Sequence, residues 1–330
     1  MVCKSGCKKK CCDVTLINAD DINLSSGVGY VIGTAGNYKL CENVNWYPGA
    51  TGAVAITINS SDVDLDLGGH YIKQINTLSL CRGVVVNSNL SNVDIHDGKL
   101  SQISTDAVYV NTGANCITID GISTDNCCYS GLGAASSVFT ADIHVQGTDA
   151  SNSKNIHIKN CTSCSSGILG SVDANNLPAV GALSIARGQI SAIRVLASTN
   201  VVLEDNQSFD GYGEETYFAH AVYGCTSVLV ARSSVKGGVS MGLVKGLFAT
   251  RTGAGGTQGA RDVKFQDCDV SNLTGYLTTA SVKTGGNGAE GIKISQSSNI
   301  MVQRCSFSRC RAIALDNRTS AAGAYFAVGA

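Results

Sequence analysis

The chain has 330 residues, 24 of them basic and 25 acidic, for a formal net charge of -1. That balance leaves no overall field to draw it to nucleic acid or to an anionic membrane surface. With 38 glycines, only 2 prolines and 6% aromatics, in a background of Val, Ile, Thr, Ser and Asn, it reads as short strands joined by tight turns and not as long helices. A charged fraction of 15% and a mean hydropathy of +0.11 are low for a solvated monomer, which points to a surface partly covered by another copy. No apolar run is long enough to span a bilayer.

In chain order, residues 1–20 read as a Cys/Lys-rich tail. MVCKSGCKKKCC leads into DVTLINADD and not into an apolar core, so no export signal is expected. Cys3, Cys7, Cys11 and Cys12 lie among Lys4, Lys8, Lys9 and Lys10, whose ammonium groups lower thiol pKa. Three uses stay open: cross-links between subunits, zinc ligation, and an intramolecular or unstructured role. The C-x3-C-x3-C-C spacing matches no standard zinc finger or ribbon, and no histidine lies nearby. Residues 21–52 read as a cap segment.

From residue 53 to 318 a short motif recurs eight times: DVDLDL from Asp62, NVDIHDG from Asn92, CITIDGI from Cys116, NIHIKNC from Asn155, NVVLEDN from Asn200, SVLVARS from Ser227, DVKFQDC from Asp262 and NIMVQRC from Asn299. Aligned, they give a β-branched column of Val63, Val93, Ile117, Ile156, Val201, Val228, Val263 and Ile300. Two residues on, Leu65, Ile95, Ile119, Ile158, Leu203, Val230, Phe265 and Val302 form a second apolar column. This alternation of period two predicts strands with one buried and one solvated face. A further strand often precedes the motif, as in AVAITIN, RGVVVNS, DAVYVNT, ADIHVQG, SAIRVLA, HAVYG and EGIKISQ, so each coil holds two or three strands. Copies are spaced by 24 to 45 residues, which suits a solenoid with irregular loop insertions and not a fixed-length repeat. Residues 319–330 read as an apolar tail that docks into a neighbour's groove.

LDLGGHYI at residues 65–72 and the rungs NIHIKNC, DVKFQDC and NIMVQRC resemble the right-handed parallel β-helix family, which includes pectate lyase-like enzymes and phage tailspikes. The resemblance implies an all-β, single-stranded, right-handed solenoid. It does not imply one function, because the fold hosts lyases, hydrolases, epimerases, adhesins and structural proteins.

Cys161, Cys268 and Cys305 share a column three residues after the second apolar position, and are expected to point inward as a buried ladder of small hydrophobes. Among outward positions, Asp64 aligns with Asp94, and Asp66 with His96 and Asp120, while Asp97 follows just beyond. Stacked like charges repel, so calcium, bound glycan or plain solvent must offset them, with Asp64, Asp66, Asp94 and Asp120 as the calcium ligands. Asp94 and Asp97 are also catalytic candidates. Asp210, Glu214, Glu215 and His220 in FDGYGEETYFAH form a second set, in which two carboxylates could act as acid and base. No G-x-DD with a following GHG, no D-P-T-D-A and no pectate lyase arginine set is present, nor a P-loop, nucleophile elbow or H-E-x-x-H.

The expected function is therefore a structural protein that self-assembles into a fibre, tube or shell, associated with a virion or an extracellular coat and cross-linked through its N-terminal cysteines. The alternative is a carbohydrate-active β-helix enzyme or glycan-binding spike acting on polysaccharide. The expected partners are copies of itself and a glycan, with neither nucleic acid nor a membrane span. Apart from calcium or zinc at the residues named, no cofactor is expected.

Overall fold

The computed structural model describes residues 14–23, 29–76, 80–129, 139–169, 184–185, 189–213, 216–240, 242–252, 258–277 and 288–314. Cys3, Cys7, Cys11, Cys12, Glu214, Glu215 and the 319–330 tail lie outside these residues.

The alternating segments stack into a parallel β-helix of three faces. The first face is a nine-stranded sheet: Tyr30–Ile32, Val54–Ile58, Arg82–Val86, Val108–Val110, Phe139–Val145, Gln189–Leu196, Thr216–Tyr223, Leu243–Thr250 and Gly288–Ile294, one strand per coil. The second face holds the eight motif strands. The third follows a bend and includes Tyr71–Gln74, Thr162–Cys164, Gln207–Gly213, Ser234–Ser240 and Asp269–Leu277. In the third and fourth coils one strand, Ser91–Ser101 or Asn115–Asp125, runs through both of these faces. Coils pair in parallel throughout; among the described residues only Ile168–Leu169 and Ser184–Ile185 pair antiparallel. The stack starts earlier than the motif count implies. Gly36–Leu40 pairs with Val63–Asp66, and Val14–Ile17 pairs with Gly36–Leu40, so the residues read as tail and cap already supply coil strands.

The register is the one the alignment predicts. Val63, Val93, Ile117, Ile156, Val201, Val228, Val263 and Ile300 are successive partners, as are Leu65, Ile95, Ile119, Ile158, Leu203, Val230, Phe265 and Val302. All are buried except Ile300 and Val302 in the last coil, so one apolar column runs the length of the molecule. Removing such surface from water is the main force holding coils together, at about 25 cal/mol per Å².

The corners are built by a repeated device. One residue adopts the left-handed conformation, and the next side chain points inward and donates a hydrogen bond to the carbonyl two residues back. Asn160 (φ 53°) precedes Cys161, whose thiol reaches Lys159 O at 3.2 Å. Gly224, Asp267 and Arg304 likewise precede Cys225, Cys268 and Cys305, whose thiols reach Tyr223, Gln266 and Gln303 carbonyls at 3.3 to 3.4 Å. Ser198, Ser233 and Ser297 do the same with hydroxyls. The cysteine column is thus a column of small inward donors. It holds Cys161 and Cys268 buried and Cys305 half-buried, with Asn206 and Ser233 between them. All eleven cysteines within the described residues are free thiols, and burial pushes Cys161, Cys225 and Cys268 up to about 12.

Asn206 shows what such a position must do. Its amide accepts from Cys161 N at 3.0 Å and donates to Ile158 O at 2.9 Å, wholly out of solvent. Asn206→Leu strands both backbone groups, and is expected to cost about 2–4 kcal/mol in a denaturant titration.

Candidate functional site

Asp64, Asp94, Asp66, His96 and Asp120 do lie on the outside of the second face, in the predicted register. Their surroundings differ from the expectation. The column through Asp66 reads Lys39, Asp66, His96, Asp120, Lys159 and Glu204, alternating in sign at every step. Lys39 is ion-paired with Asp66, and Lys159 reaches Asp120 at 3.2 Å. His96 bridges Asp64 at 2.8 Å and Asp97 at 3.0 Å. Burial opposes the charge on His96, yet Asp97 and Asp64 hold its pKa above the ordinary imidazole value. The ladder continues where Arg232 bonds Glu204 and Asp205, both at 2.8 Å, and where Arg304 bonds Asp267. Asp66, His96 and Asp97 each offer a ligand atom, all within 4.8 Å of one another. Those atoms already have partners within the chain, Lys39 on Asp66 and His96 between Asp64 and Asp97.

Of the second set, Glu214 and Glu215 lie outside the described residues, and Asp210 and His220 are on opposite sides of the chain wall. Asp210 sits at an exposed bend of the third face in the left-handed conformation. His220 lies inside the solenoid, in the column Ile56, Val84, Val108, Ile143, Ile193, His220, Leu247 and Ile292. There it meets Ser208 at 3.0 Å, and burial lowers its pKa to about 4. Nearby coils carry another interior polar group, Asp142, whose Oδ2 accepts the hydroxyls of Thr124 and Ser166 at 2.7 Å and that of Ser163.

The concentration of unusual chemistry is elsewhere, on the outer side of the first face. Its outward column reads Thr57, Val85, Tyr109, His144, Arg194, Ala221, Phe248 and Lys293. Asp106, just ahead of Val108–Val110, accepts from Arg82 Nε at 2.9 Å, from Ala141 N at 3.0 Å and from His144 Nδ1 at 3.1 Å. Burial opposes its charge, but the imidazole, the guanidinium and the amide outweigh that and hold Asp106 below the usual carboxylate range. Burial also pushes His144 down, against the pull of Asp106, so the imidazole is neutral. A carboxylate can only accept, so Nδ1 carries the proton and Nε2 is a bare lone pair.

That Nε2 has no partner among the described residues. Nor have Arg194 Nε, Ser191 Oγ and Glu290 Oε2, all buried and all on outward columns of the same sheet. Arg194 is 4% exposed and has no ion pair among the described residues; its guanidinium lies over Phe139 at 3.9 Å and Tyr223 at 4.8 Å. The aromatic surface continues along the axis. Arg82 stacks on Tyr109 at 4.2 Å, Tyr109 meets the His144 ring edge-on at 5.1 Å, and Phe218 stacks on Phe248 at 4.9 Å. Lys245 lies 4.0 Å above Phe248, and burial lowers its pKa to about 8. From Arg82 to Lys245 the strip crosses six coils, about 24 Å at the inter-strand spacing. Such a strip offers flat faces for stacking, a guanidinium free for an anion and an oriented base. Sequence reasoning missed it, although the strands DAVYVNT, ADIHVQG and SAIRVLA carry Asp106, Tyr109, His144 and Arg194.

No family model matches the chain, and no curated protein matches it. Among solved structures it is similar to the Streptococcus pneumoniae surface protein and adhesin PfbA, at 11% identity over 92% of this chain and 91% of that one, with a TM-score of 0.39. A second PfbA structure gives 12%, 87%, 81% and 0.41 for the same quantities. The enzymatically active domain of bacteriophage CBA120 tailspike protein 2 is 11% identical over 86% of this chain and 43% of that one, with a TM-score of 0.21.

His220 makes stability depend on acid. Its folded pKa of about 4 is below the unfolded value of about 6.5, so the unfolded chain binds the proton first as pH falls. The stability it leaves intact above about pH 6.5 is lost progressively towards about pH 4, by about 3 kcal/mol in full. His220→Leu, which restores the aliphatic column, is expected to flatten urea midpoints across that window; an unchanged slope would place the acid sensitivity in another group.

Proposed function

We propose that this chain is a glycan-binding β-helix whose ligand face is the outer side of the first sheet, and that the glycan is anionic. The observation that carries the reading is Arg194, a buried guanidinium that lies over two aromatic rings, with Nε unpartnered and no ion pair in contact with it among the described residues, Asp106 acting on it only through the Coulomb field. A buried cation with no counter-charge in contact is costly, and Asp106 is already shared between Arg82 and His144, so several orphan polar atoms on one face are best accounted for by a shared occupant. Carboxylate or sulfate groups on a sugar chain meet that need, while Phe139, Tyr223 and Tyr109 stack against sugar faces. Arg82, whose side chain is 40% exposed, and half-buried Tyr109 form the open edge through which such a chain reaches Arg194.

Calorimetry with uronate-bearing, sulfated and neutral polysaccharides tests this. The wild type is expected to bind an anionic polymer and not the neutral one, and Arg194→Ala to weaken binding at least tenfold, about 1.4 kcal/mol or more. Binding of none of the three, or an unaltered Arg194→Ala, refutes the proposal.

A second property, self-association, has its own support. Ser298–Gln303 pairs on one side only among the described residues, leaving Met301 55% and Val302 37% exposed. At the other end Val14 and Leu16 are exposed on a strand that also has one partner. Open strand edges with apolar side chains template further pairing. We read these ends as contacts between copies in a virion or extracellular coat, with Cys3, Cys7, Cys11 and Cys12 as the cross-linking residues. Light scattering is expected to show concentration-dependent oligomers that Val302→Lys disperses, and non-reducing gels a thiol-dependent ladder. A wild-type chain that stays monomeric removes this reading and leaves the glycan site untouched.

A further inference from the structure

We infer that Cys268 and Cys305 form a disulfide-forming pair, a modification site by which the chain fastens its ninth coil to its eighth.

The two cysteines occupy the same position in consecutive bends. Each follows a left-handed residue, Asp267 at φ 54° and Arg304 at φ 51°. The ladder is in register on both sides of them: Gln266 pairs with Gln303 and Asp269 with Ser306, and Ser306 N donates to Cys268 O at 2.9 Å. Direct neighbours in a parallel ladder have Cα atoms about 4.8 Å apart, inside the window of about 4.4–6.8 Å that disulfides span. Because the bends are alike, both thiols turn the same way, each to the carbonyl two residues back, at 3.3 and 3.4 Å. Elsewhere in this column, Gly98, Ile122, Cys161, Asn206 and Ser233 place no two thiols on adjacent coils.

The ninth coil is where a covalent tie has most to do. Its inward residues Ile300 and Val302 are the least buried of their columns, so it is the rung that opens at lowest cost. The same openness gives the slight freedom needed for the two Cβ atoms to close to the roughly 3.8 Å of a disulfide. It also exposes the attacking group, since Cys305 is half-buried while Cys268 is enclosed.

The oxidant is a small-molecule disulfide such as oxidised glutathione. The Cys305 thiolate attacks one of its sulfurs, the S–S bond breaks, and one glutathione thiolate leaves. Cys268 then loses its proton to solvent and attacks the Cys305 sulfur of the mixed disulfide, expelling the second glutathione. Two protein thiols and one glutathione disulfide become one protein disulfide and two glutathione thiols. Burial raises the Cys268 thiol to about 12, so the second step is the slower one and quickens with rising pH.

The test treats the folded full-length chain with oxidised glutathione, alkylates the remaining thiols and maps peptides by mass spectrometry, with a thermal melt beside it. A Cys268–Cys305 cross-linked peptide and a raised Tm are expected. Cys268→Ser is expected to stop at a glutathione adduct on Cys305, and Cys305→Ser to give neither product. Serine serves at equivalent bends at Ser198 and Ser233, so both variants keep the local fold. A stable adduct on Cys305 in the wild type, pairing of either residue with another cysteine, or no loss of these two thiols each overturns the inference.

Discussion

The structure depends on how a chain of flat strands is made to turn a corner and return in register. Each corner needs one residue in the left-handed conformation, which breaks the ladder locally and frees a carbonyl. A freed carbonyl facing the interior has no water to bond. An inward donor two residues on, with a side chain short enough to stay inside the bend, satisfies it. Thiol and hydroxyl groups meet that requirement at Cys161, Cys225 and Ser233, while the Asn206 amide instead reaches the Ile158 carbonyl of the preceding coil. Once every bend is built alike, coils stack without steric conflict and the aliphatic columns follow.

This accounts for a cysteine content that otherwise looks like a disulfide framework. A thiol is a weak donor, but it is also one of the best residues to bury, so at a corner it serves the carbonyl and the core together. Asn at the left-handed positions has a matching logic, because its short amide tolerates that conformation and bonds along the stack. Asn92 reaches Asp62 at 2.7 Å and Asn200 reaches Asn155 at 3.1 Å. Charges in the column through Asp66 follow a neighbour rule of their own, with alternate signs on successive coils from Lys39 to Glu204.

The rungs were legible because β-branched residues at period two leave little choice of face. The inward pointing of Cys161, Cys268 and Cys305 was legible for the same reason. What the sequence hid were relations between coils separated by insertions of variable length. Lys39 lies 27 residues before Asp66, and Lys159 lies 39 after Asp120, so the ion pairs on these aspartates could not be read from the motif alone. Arg194 is likewise 50 residues from its ladder partner His144, and nothing in SAIRVLA by itself distinguishes a solvated arginine from one laid on Phe139 and Tyr223.

The two buried histidines of the first sheet show how narrow the difference between structure and function is here. In IHVQ the histidine falls one place after an inward isoleucine; in HAVY it takes the inward place itself. A step of one residue on a strand exchanges the two faces. His220 is consequently a neutral space-filler bonded to Ser208, in a coil that gives up aliphatic packing to hold it. His144 points outward, is held by Asp106 through one nitrogen and presents the other, beside an arginine with no ion pair among the described residues. Both are desolvated and both are depressed in pKa, so neither burial nor titration separates them. The separating fact is what lies on the free nitrogen's side: a closed core for one, a strip of aromatic rings and unpartnered polar atoms for the other. Function on a β-helix is accordingly set by parity and stacking, and residue type becomes informative only once both are known.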